Sequence, residues 1–559
     1  MVRATFSGFN TALSALQANQ KRLDITGQNL SNMNTAGYTR QQLEASSLNY
    51  TNPVSHYSNG NETAVGFGVS MDRVSQIRDP YLDIQYRSQS ADCSYTNRLQ
   101  TALNSLSKVL DETTISGIRQ AFDDIQSTLT SMQDPAKVSD PIYESELRTK
   151  MQSVCNLFNQ ASRQITQAEQ NEFQRLTGEG SSEQGDVQKI NDILRQIGDL
   201  NVQIKRNQVA GHPSLELQDE RNLLLDELSG YIPVETRYYK DDAHSGNNAY
   251  DYDANGAVIG KKDWPDDLEV SMNYIDAQGK SQKLILVNGS DLGADGLTKN
   301  YGQLSMLKGD HQTAASVSDP ANISIKFEKA PSYQGNGQAA TNDVYAELKG
   351  IRFEGGSLQA SLDMLQKTGT GNVINGSTAV DDVRGYQYYS EKLDQLALTF
   401  AESMNKINNG NKNPKDQNLL SNSTDDSTTG ITAGNIGISK GWTSGTIHIS
   451  TDGTNRTDTI LDMIAAMKDT KKLNGKTFAD YMNNLSTQLA SDSSSNQTAL
   501  KTGTTVLNSI QDSRDSLSGV SLDEEATNMM AYVSAYNAAS RLMTALDEVL
   551  NTLISNTGA

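Results

Sequence analysis

The chain has 559 residues, of which 36% are hydrophobic, and carries a formal net charge of −20 at pH 7. That length calls for three or four domains rather than one core, and the apolar share falls below the globular norm of about 45–50%. The acidity repels phosphate backbones and no basic stripe offsets it, so nucleic acid is excluded as a partner.

The N-terminal run MVRATFSGFNTALSAL lacks an apolar segment with a small-residue cleavage site, so no cleavable secretion signal is expected. No stretch reaches about 18 consecutive apolar residues, so no membrane span or membrane partner is expected. From the same region Phe6, Phe9, Leu13, Leu16, Gln20, Leu23, Gly27 and Leu30 recur at alternating steps of three and four. This heptad seam with two weak positions predicts a helix that wants a partner helix. It stops in NLSNMNTAGYTRQ at residues 29–41. There Asn29, Asn32, Asn34, Thr35, Gly37, Tyr38 and Arg40 form a candidate turn. Gly37, Asn32 and Asn34 are the residues expected to tolerate left-handed backbone.

Further seams follow at Tyr95–Leu106, Ile118–Met132, Leu147–Ile165 and Ile190–Ile204, with Asp134-Pro135 and Asp140-Pro141 as punctuation. They predict a bundle of three or four long helices. At residue 232 the texture turns to alternation, aromatics and Gly turns, predicting antiparallel strands to about residue 352. Helical patterning returns, broken by a polar run around SNSTDDSTTG. At the far end Met529, Val533, Tyr536, Ser540, Met543, Leu546, Leu550 and Leu553 form a second seam, behind a Ser521 cap and the acidic first turn Asp523, Glu524 and Glu525.

The predicted fold is therefore multidomain α+β, with a terminal α-helical coiled coil, a helical bundle domain and a β-rich inserted outer part. Its divisions are 1–60 (N-terminal coiled-coil helix and connecting turn), 61–231 (bundle), 232–352 (β-rich insert) and 353–408 (helical return). They continue with 409–455 (polar turn-rich insert), 456–518 (bundle again) and 519–559 (C-terminal coiled-coil helix). The candidate assembly interface is Phe6, Phe9, Leu13, Leu16, Leu23 and Leu30 with Met529, Val533, Tyr536, Met543, Leu546, Leu550 and Leu553.

Chemistry is sparse. Asp251–Asn255 begins like a calcium loop, but Lys262 stands where a bidentate Glu is required. Gly475-Lys476-Thr477 ends like a phosphate loop, but Thr470 stands in place of its first glycine. Cys93 and Cys155 give no disulfide framework, though one pairing stays open, and five scattered histidines show no ligand spacing. No catalytic residue, metal or cofactor is expected. Tyr238, Tyr239, Tyr250, Tyr252, Trp264 and Tyr274 could form a glycan-binding face, or simply fill cross-strand pairs.

NLSNMNTAGYTRQ and SGVSLDEEATNMMAYVSAYNAASRLMTALDEVLNTLI resemble the two ends of the flagellar rod, hook and hook-associated axial proteins. LQDERNLLLDELSGYIPV (217–234), GGSL (355–358) and LDQLALTFAESMNKIN (393–408) are similar to the hook-associated members. Hook protein or flagellin is the alternative within that group. Ala36 departs from the family's usual proline, so the bend must rest on its neighbours. The resemblance implies a secreted structural protein at the extracellular hook–filament junction, exported uncleaved by the flagellar type III apparatus. Implied partners are hook protein, a second junction protein, further copies of itself in a ring, and an export chaperone at the C-terminal helix. Lone seam-bearing helices are costly to order, so both termini are expected to fold on assembly.

Overall fold

Period and punctuation carry through to the elements. The computed structural model describes residues 7–48, 68–110, 117–138, 140–240, 250–252, 258–261, 266–275, 280–289, 300–309, 313–328, 352–369, 383–410, 417–450 and 457–557. The chain opens with α1 (Ser7–Asn32), turns into strands β1 (Gln41–Ser47) and β2 (Val69–Gln76), and enters α2 (Pro80–Leu110). Helices α3 (Ile118–Ser131), α4 (Pro135–Val138), α5 (Pro141–Thr177), α6 (Asp186–Val209) and α7 (Leu215–Tyr231) follow. Next come β3 (Glu235–Lys240), β4 (Tyr250–Tyr252), β5 (Val258–Lys261), β6 (Asp266–Ile275), β7 (Ser281–Asn288), β8 (Gln303–Lys308), β9 (Ile323–Glu328) and β10 (Arg352–Phe353). The return runs through α8 (Gly356–Gln366), α9 (Tyr386–Asn409), β11 (Leu420–Asn422), β12 (Ile436–Ile438) and α10 (Lys440–Ser444). It closes with α11 (Asp458–Lys468), α12 (Phe478–Ser518) and α13 (Leu522–Thr557).

α5 and α12 start where a side chain supplies a missing bond. Asp140 accepts from Ile142 N at the head of α5, Pro141 occupies its first turn, and Gly178 (φ 75°) ends it. Thr477, the last residue of the phosphate-loop look-alike, caps α12 by accepting from Asp480 N at 3.1 Å. That run is a turn and a cap.

The helical body closes around Phe122 of α3, Phe158 of α5, Phe400 of α9 and Phe478 of α12, all fully buried. Phe122 lies 5.2–6.0 Å from the other three ring centres. Two of these rings come from the first half of the chain and two from the last third, so the outgoing and returning helices share one core. α2 and α12 pack side by side in opposite directions, with Gln100 bonded to Ser493, Gln89 to Gly503 O and Tyr86 under Arg514.

The β region makes a four-stranded antiparallel sheet, β6 pairing with β3, β7 and β10, plus the separate pairs β4–β5 and β8–β9. Asparagines dock it on α6. Asn201 Nδ2 donates to Leu268 O and Gly289 O, both at 3.1 Å, and Asn300 Nδ2 donates to Gly198 O at 3.0 Å. A Cβ at Gly198 would sit 2.6 Å from Asn300 Oδ1, so only glycine lets these surfaces meet.

The structure adds detail at several of the expected points. Residues 41–47 and 69–76 pair as an antiparallel hairpin, so a division at residue 60 falls between partner strands, and α2 begins only at Pro80. Their sequences are polar and half exposed, so they carry no alternation of apolar and polar residues. The polar run 409–455 holds a packed unit: Asn405 both donates to and accepts from Leu420, and Trp442 is fully buried with Nε1 donating to Glu144 at 2.8 Å. Cys93 and Cys155 are both free. Tyr274 is buried and Tyr238 is exposed beneath Arg221, so these two do not make one face. The side chains of Tyr239, Tyr250, Tyr252 and Trp264, and the calcium-loop look-alike between β4 and β5, lie outside the described residues.

Candidate functional site

The two termini meet. α1 and α13 lie antiparallel, and their contacts keep one register. Leu546 closes over Gly8, the Arg22 guanidinium stands 5.7 Å from the Tyr532 ring centre, and Asn29 bonds Glu525. The steps between these contacts, Gly8 to Arg22 to Asn29 and Leu546 to Tyr532 to Glu525, are two heptads and then one on each helix.

Phe9, Leu16, Leu23 and Leu30 of the N-terminal seam and Met529, Met543, Leu546 and Leu550 of the C-terminal seam are half-buried. Leu13, Val533, Tyr536 and Leu553 are exposed, and Phe6 lies outside the described residues. The buried residues of α1 are Ala12, Ala18, Asn19, Ile25, Thr26 and Asn29, and those of α13 are Glu525 and Ala539. Tyr532 and Ala539 face α1 where the seam reading used their neighbours Val533 and Ser540. In a helix apolar on more than one side, apolarity alone does not fix which stripe meets the partner.

The turn is built around Asn29, which is 1% exposed. Its Nδ2 donates to Gln41 O (3.0 Å) and Glu525 Oε2 (3.3 Å). Its Oδ1 accepts from Tyr38 OH (2.9 Å) and Gln41 N (3.0 Å). Every polar site of that amide is thus used. Thr35 N donates to Asn32 O and Tyr38 N to Thr35 O, and Gly37 alone in this run takes positive φ (78°). Asn32 and Asn34 do not take the left-handed form. Asn32 instead donates to Gln28 O, and Asn34 is exposed. Burial and the nearby carboxylates of Asp219, Glu216 and Glu525 push the Tyr38 hydroxyl well above its ordinary pKa, keeping it a donor.

From the turn a chain of charges crosses into the body. Arg40 binds Glu525 (Nε–Oε1, 2.8 Å) and Glu524 (Nη1–Oε2, 2.7 Å) at the start of α13, and its backbone N donates to Ser518 O at 2.9 Å. Thr39 donates through N (3.1 Å) and Oγ1 (2.6 Å) to Asp219 of α7. Arg78 lies 3.8 Å from Asp219 and bonds Asp83; Arg514 reaches Asp83 (3.0 Å) and Asp226 (2.8 Å); Arg87 bonds Asp226 (2.7 Å). Arg514 also stacks 4.3 Å above the Tyr86 ring centre.

Burial works to raise the pKa of Asp83, but the Arg78 hydrogen bond and the charges of Arg78, Arg514 and Arg87 hold it below the usual carboxylate range. At Asp219 burial prevails over the Thr39 bonds and Arg78, and the pKa is raised. Beside this root lies an open cleft of about 810 Å³, with Met33, Leu223 and Val520 among its lining. Among the described residues no cluster of three or more His, Cys, Asp or Glu is placed to hold a metal ion, and no helix is long and apolar enough to cross a membrane. These contacts tie the pair of terminal helices to the helical body.

Of these residues the sequence singled out Asn29, Tyr38 and Arg40, and it read Glu524 and Glu525 only as complements to the helix dipole. It missed Asp83, Arg87, Asp219, Asp226 and Arg514. The one available signal was the LQDERNLLLDEL run, which carries both Asp219 and Asp226.

Comparison with known proteins covers the same parts. A family model described as the flagellar hook-associated protein FlgK helical domain matches residues 103–417. A flagella basal body rod protein model matches 9–39, and a flagellar basal body rod FlgEFG protein C-terminal model matches 513–556. Flagellar hook-associated protein 1 of Bacillus subtilis is 29% identical over 570 aligned residues, covering 99% of both chains. That of Salmonella typhimurium is 29% identical over 230 residues, covering 40% of this chain and 38% of the relative. The structure of the flagellar hook junction protein FlgK from Burkholderia pseudomallei aligns with a TM-score of 0.36 and 19% identity, over 61% of this chain and 45% of that one. The chain belongs to the FlgK family of flagellar hook-associated proteins.

Proposed function

We propose that this chain is the structural connector between flagellar hook and filament, working through coiled-coil packing of its terminal helices. One observation carries the reading: the α1–α13 pair points large apolar side chains away from its own body. Leu13, Met530, Val533, Leu542, Val549 and Ile554 are all exposed, Met530 by 66%. Each is already about half covered, so sealing it in a neighbour's groove contributes about 1 kcal/mol, and a tube of packed subunits is favoured over the separate chain. The neighbours are further copies of this chain in a ring, hook protein on one side and a second junction protein on the other. Before assembly an export chaperone covers the exposed strip of α13, and the flagellar type III apparatus exports the uncleaved chain.

The test is complementation of a host strain lacking this protein. The full chain restores attached filaments. A chain without residues 1–32 leaves complete hooks and sheds filament protein into the medium. Attached filaments with the shortened chain would overturn the reading.

A further inference from the structure

Another cleft, of about 500 Å³, opens where the β1–β2 hairpin, the helical body and the β sheet come together. β2 gives it Arg73, the entry to α2 gives Arg78, α2 gives Ile84 and Arg87, α7 gives Arg221, and β3 gives Tyr238. Ile84 and Tyr238 are large and exposed, and the Arg73 side chain is 70% exposed. Arg221 Nη1 donates to Asn201 Oδ1 at 2.8 Å, and its guanidinium stands 5.6 Å from the Tyr238 ring centre. Arg87 is fixed in turn by Asp226, Asn222 and Thr236. Four arginines thus line the cleft with one carboxylate, Asp83, and with no lysine or glutamate. Glu44, Asp219 and Asp226, the other carboxylates that answer these arginines, are not part of the lining.

Arginine and tyrosine beside an exposed aliphatic side chain, without lysine or glutamate, is the composition of protein–protein contacts. The chain carries a net charge of −20, so a second copy approaches as an acidic surface. An arginine-lined cleft is its complement and offsets the repulsion between like-charged copies. We infer that this cleft receives an acidic strip of a second copy of the chain, carboxylates meeting the arginines and apolar side chains meeting Ile84 and Tyr238. The exposed Arg73–Glu44 pair is weak, so Arg73 can turn to an incoming carboxylate at little cost. Cleft and strip are different surfaces, so the contact runs head to tail and repeats from copy to copy, as a ring requires. The inference rests on the proposed packing of copies and names the surface that carries it.

Photocrosslinking in assembled flagella tests it. The full chain, carrying the photoreactive p-benzoylphenylalanine in place of Tyr238, is supplied to a host strain that lacks the parent. Irradiation is expected to give a covalent dimer of this chain, joined at a peptide that contains Asp or Glu. Copies bearing two different tags separate a link between chains from a link within one. Arg73→Glu is expected to lower the dimer severalfold. A link from Tyr238 only to its own chain, or only to a different protein, overturns the inference, as does a dimer that Arg73→Glu leaves unchanged. The same probe at Met530 reports on the outward strip of α13. Links from Met530 to neighbouring chains with none from Tyr238 overturn the cleft and leave the connector reading standing.

Discussion

The two ends of α12 are held in opposite ways. At its start Phe478 sits in a dry cluster with Phe122, Phe158 and Phe400; at its end Arg514 lies between Asp83 and Asp226 on the Tyr86 ring. From Phe478 to Arg514 is 36 residues, about 54 Å of helix. Apolar packing is strong and non-directional, so it fixes that the body folds. A ladder of buried charges adds little net stability but punishes misplacement, since each charge is tolerable only beside its partner. The difference assigns stability to the phenylalanine core and position to the root.

The largest expected effect is on the core. Phe122→Ala removes a ring from all three contacts and should cost about 3–5 kcal/mol, read as a lower urea midpoint for the whole helical body. Next comes the root, where Asp226→Ala leaves Arg87, whose side chain is 3% exposed, and Arg514 without their shared carboxylate. We expect a cost near 3 kcal/mol, read as faster exchange where α7, the start of α2 and the end of α12 meet. Gly37→Ala forces a residue with a Cβ into φ 78° and should cost about 1–2 kcal/mol, read as faster proteolysis near Tyr38.

Smaller still is the pH response, in which two aspartates oppose each other. The lowered pKa of Asp83 gives stability that is present above about pH 4 and lost as pH falls through the folded value. The raised pKa of Asp219 works the other way, weakening the root as pH rises from about 4 through its folded value. Protection at the root, after division by the intrinsic exchange rate at each pH, should therefore be greatest in mildly acid solution. Asp83→Asn should remove the acid limb and Asp219→Asn the upper one. The least effect is expected at the thiols. Burial pushes Cys155 up to about 12, so it should resist alkylation at pH 8 until the body unfolds, while half-buried Cys93 reacts in the native chain.

The same contrast explains what the sequence made legible. Periodic apolar residues announce helices locally, so the long helices of the body, the terminal pair and the turn at Gly37 could all be read in advance. A charge ladder has no period. Arg40 and Glu525 are separated by 485 positions, and Arg514 and Asp226 by 288, so nothing local marks them as partners. The asparagines that fasten the β region and the 409–455 run read as loop composition, because their role lies in which backbone groups they meet. The seam of α13 was legible as a helix but not as a face: Val533 and Tyr532 are adjacent, and only the Arg22 contact decides between them.

The division of labour is tested most directly by hydrogen exchange on two full-length variants, Asp226→Ala and Phe122→Ala, measured side by side. The expected result is that Asp226→Ala loosens α7, the start of α2 and the end of α12 while α3, α5 and α9 keep the exchange rates of the parent. Phe122→Ala should loosen α3, α5, α9 and the first half of α12. If both variants instead open the whole chain to the same extent, root and core are one cooperative unit and the assignment of position to one and stability to the other is wrong.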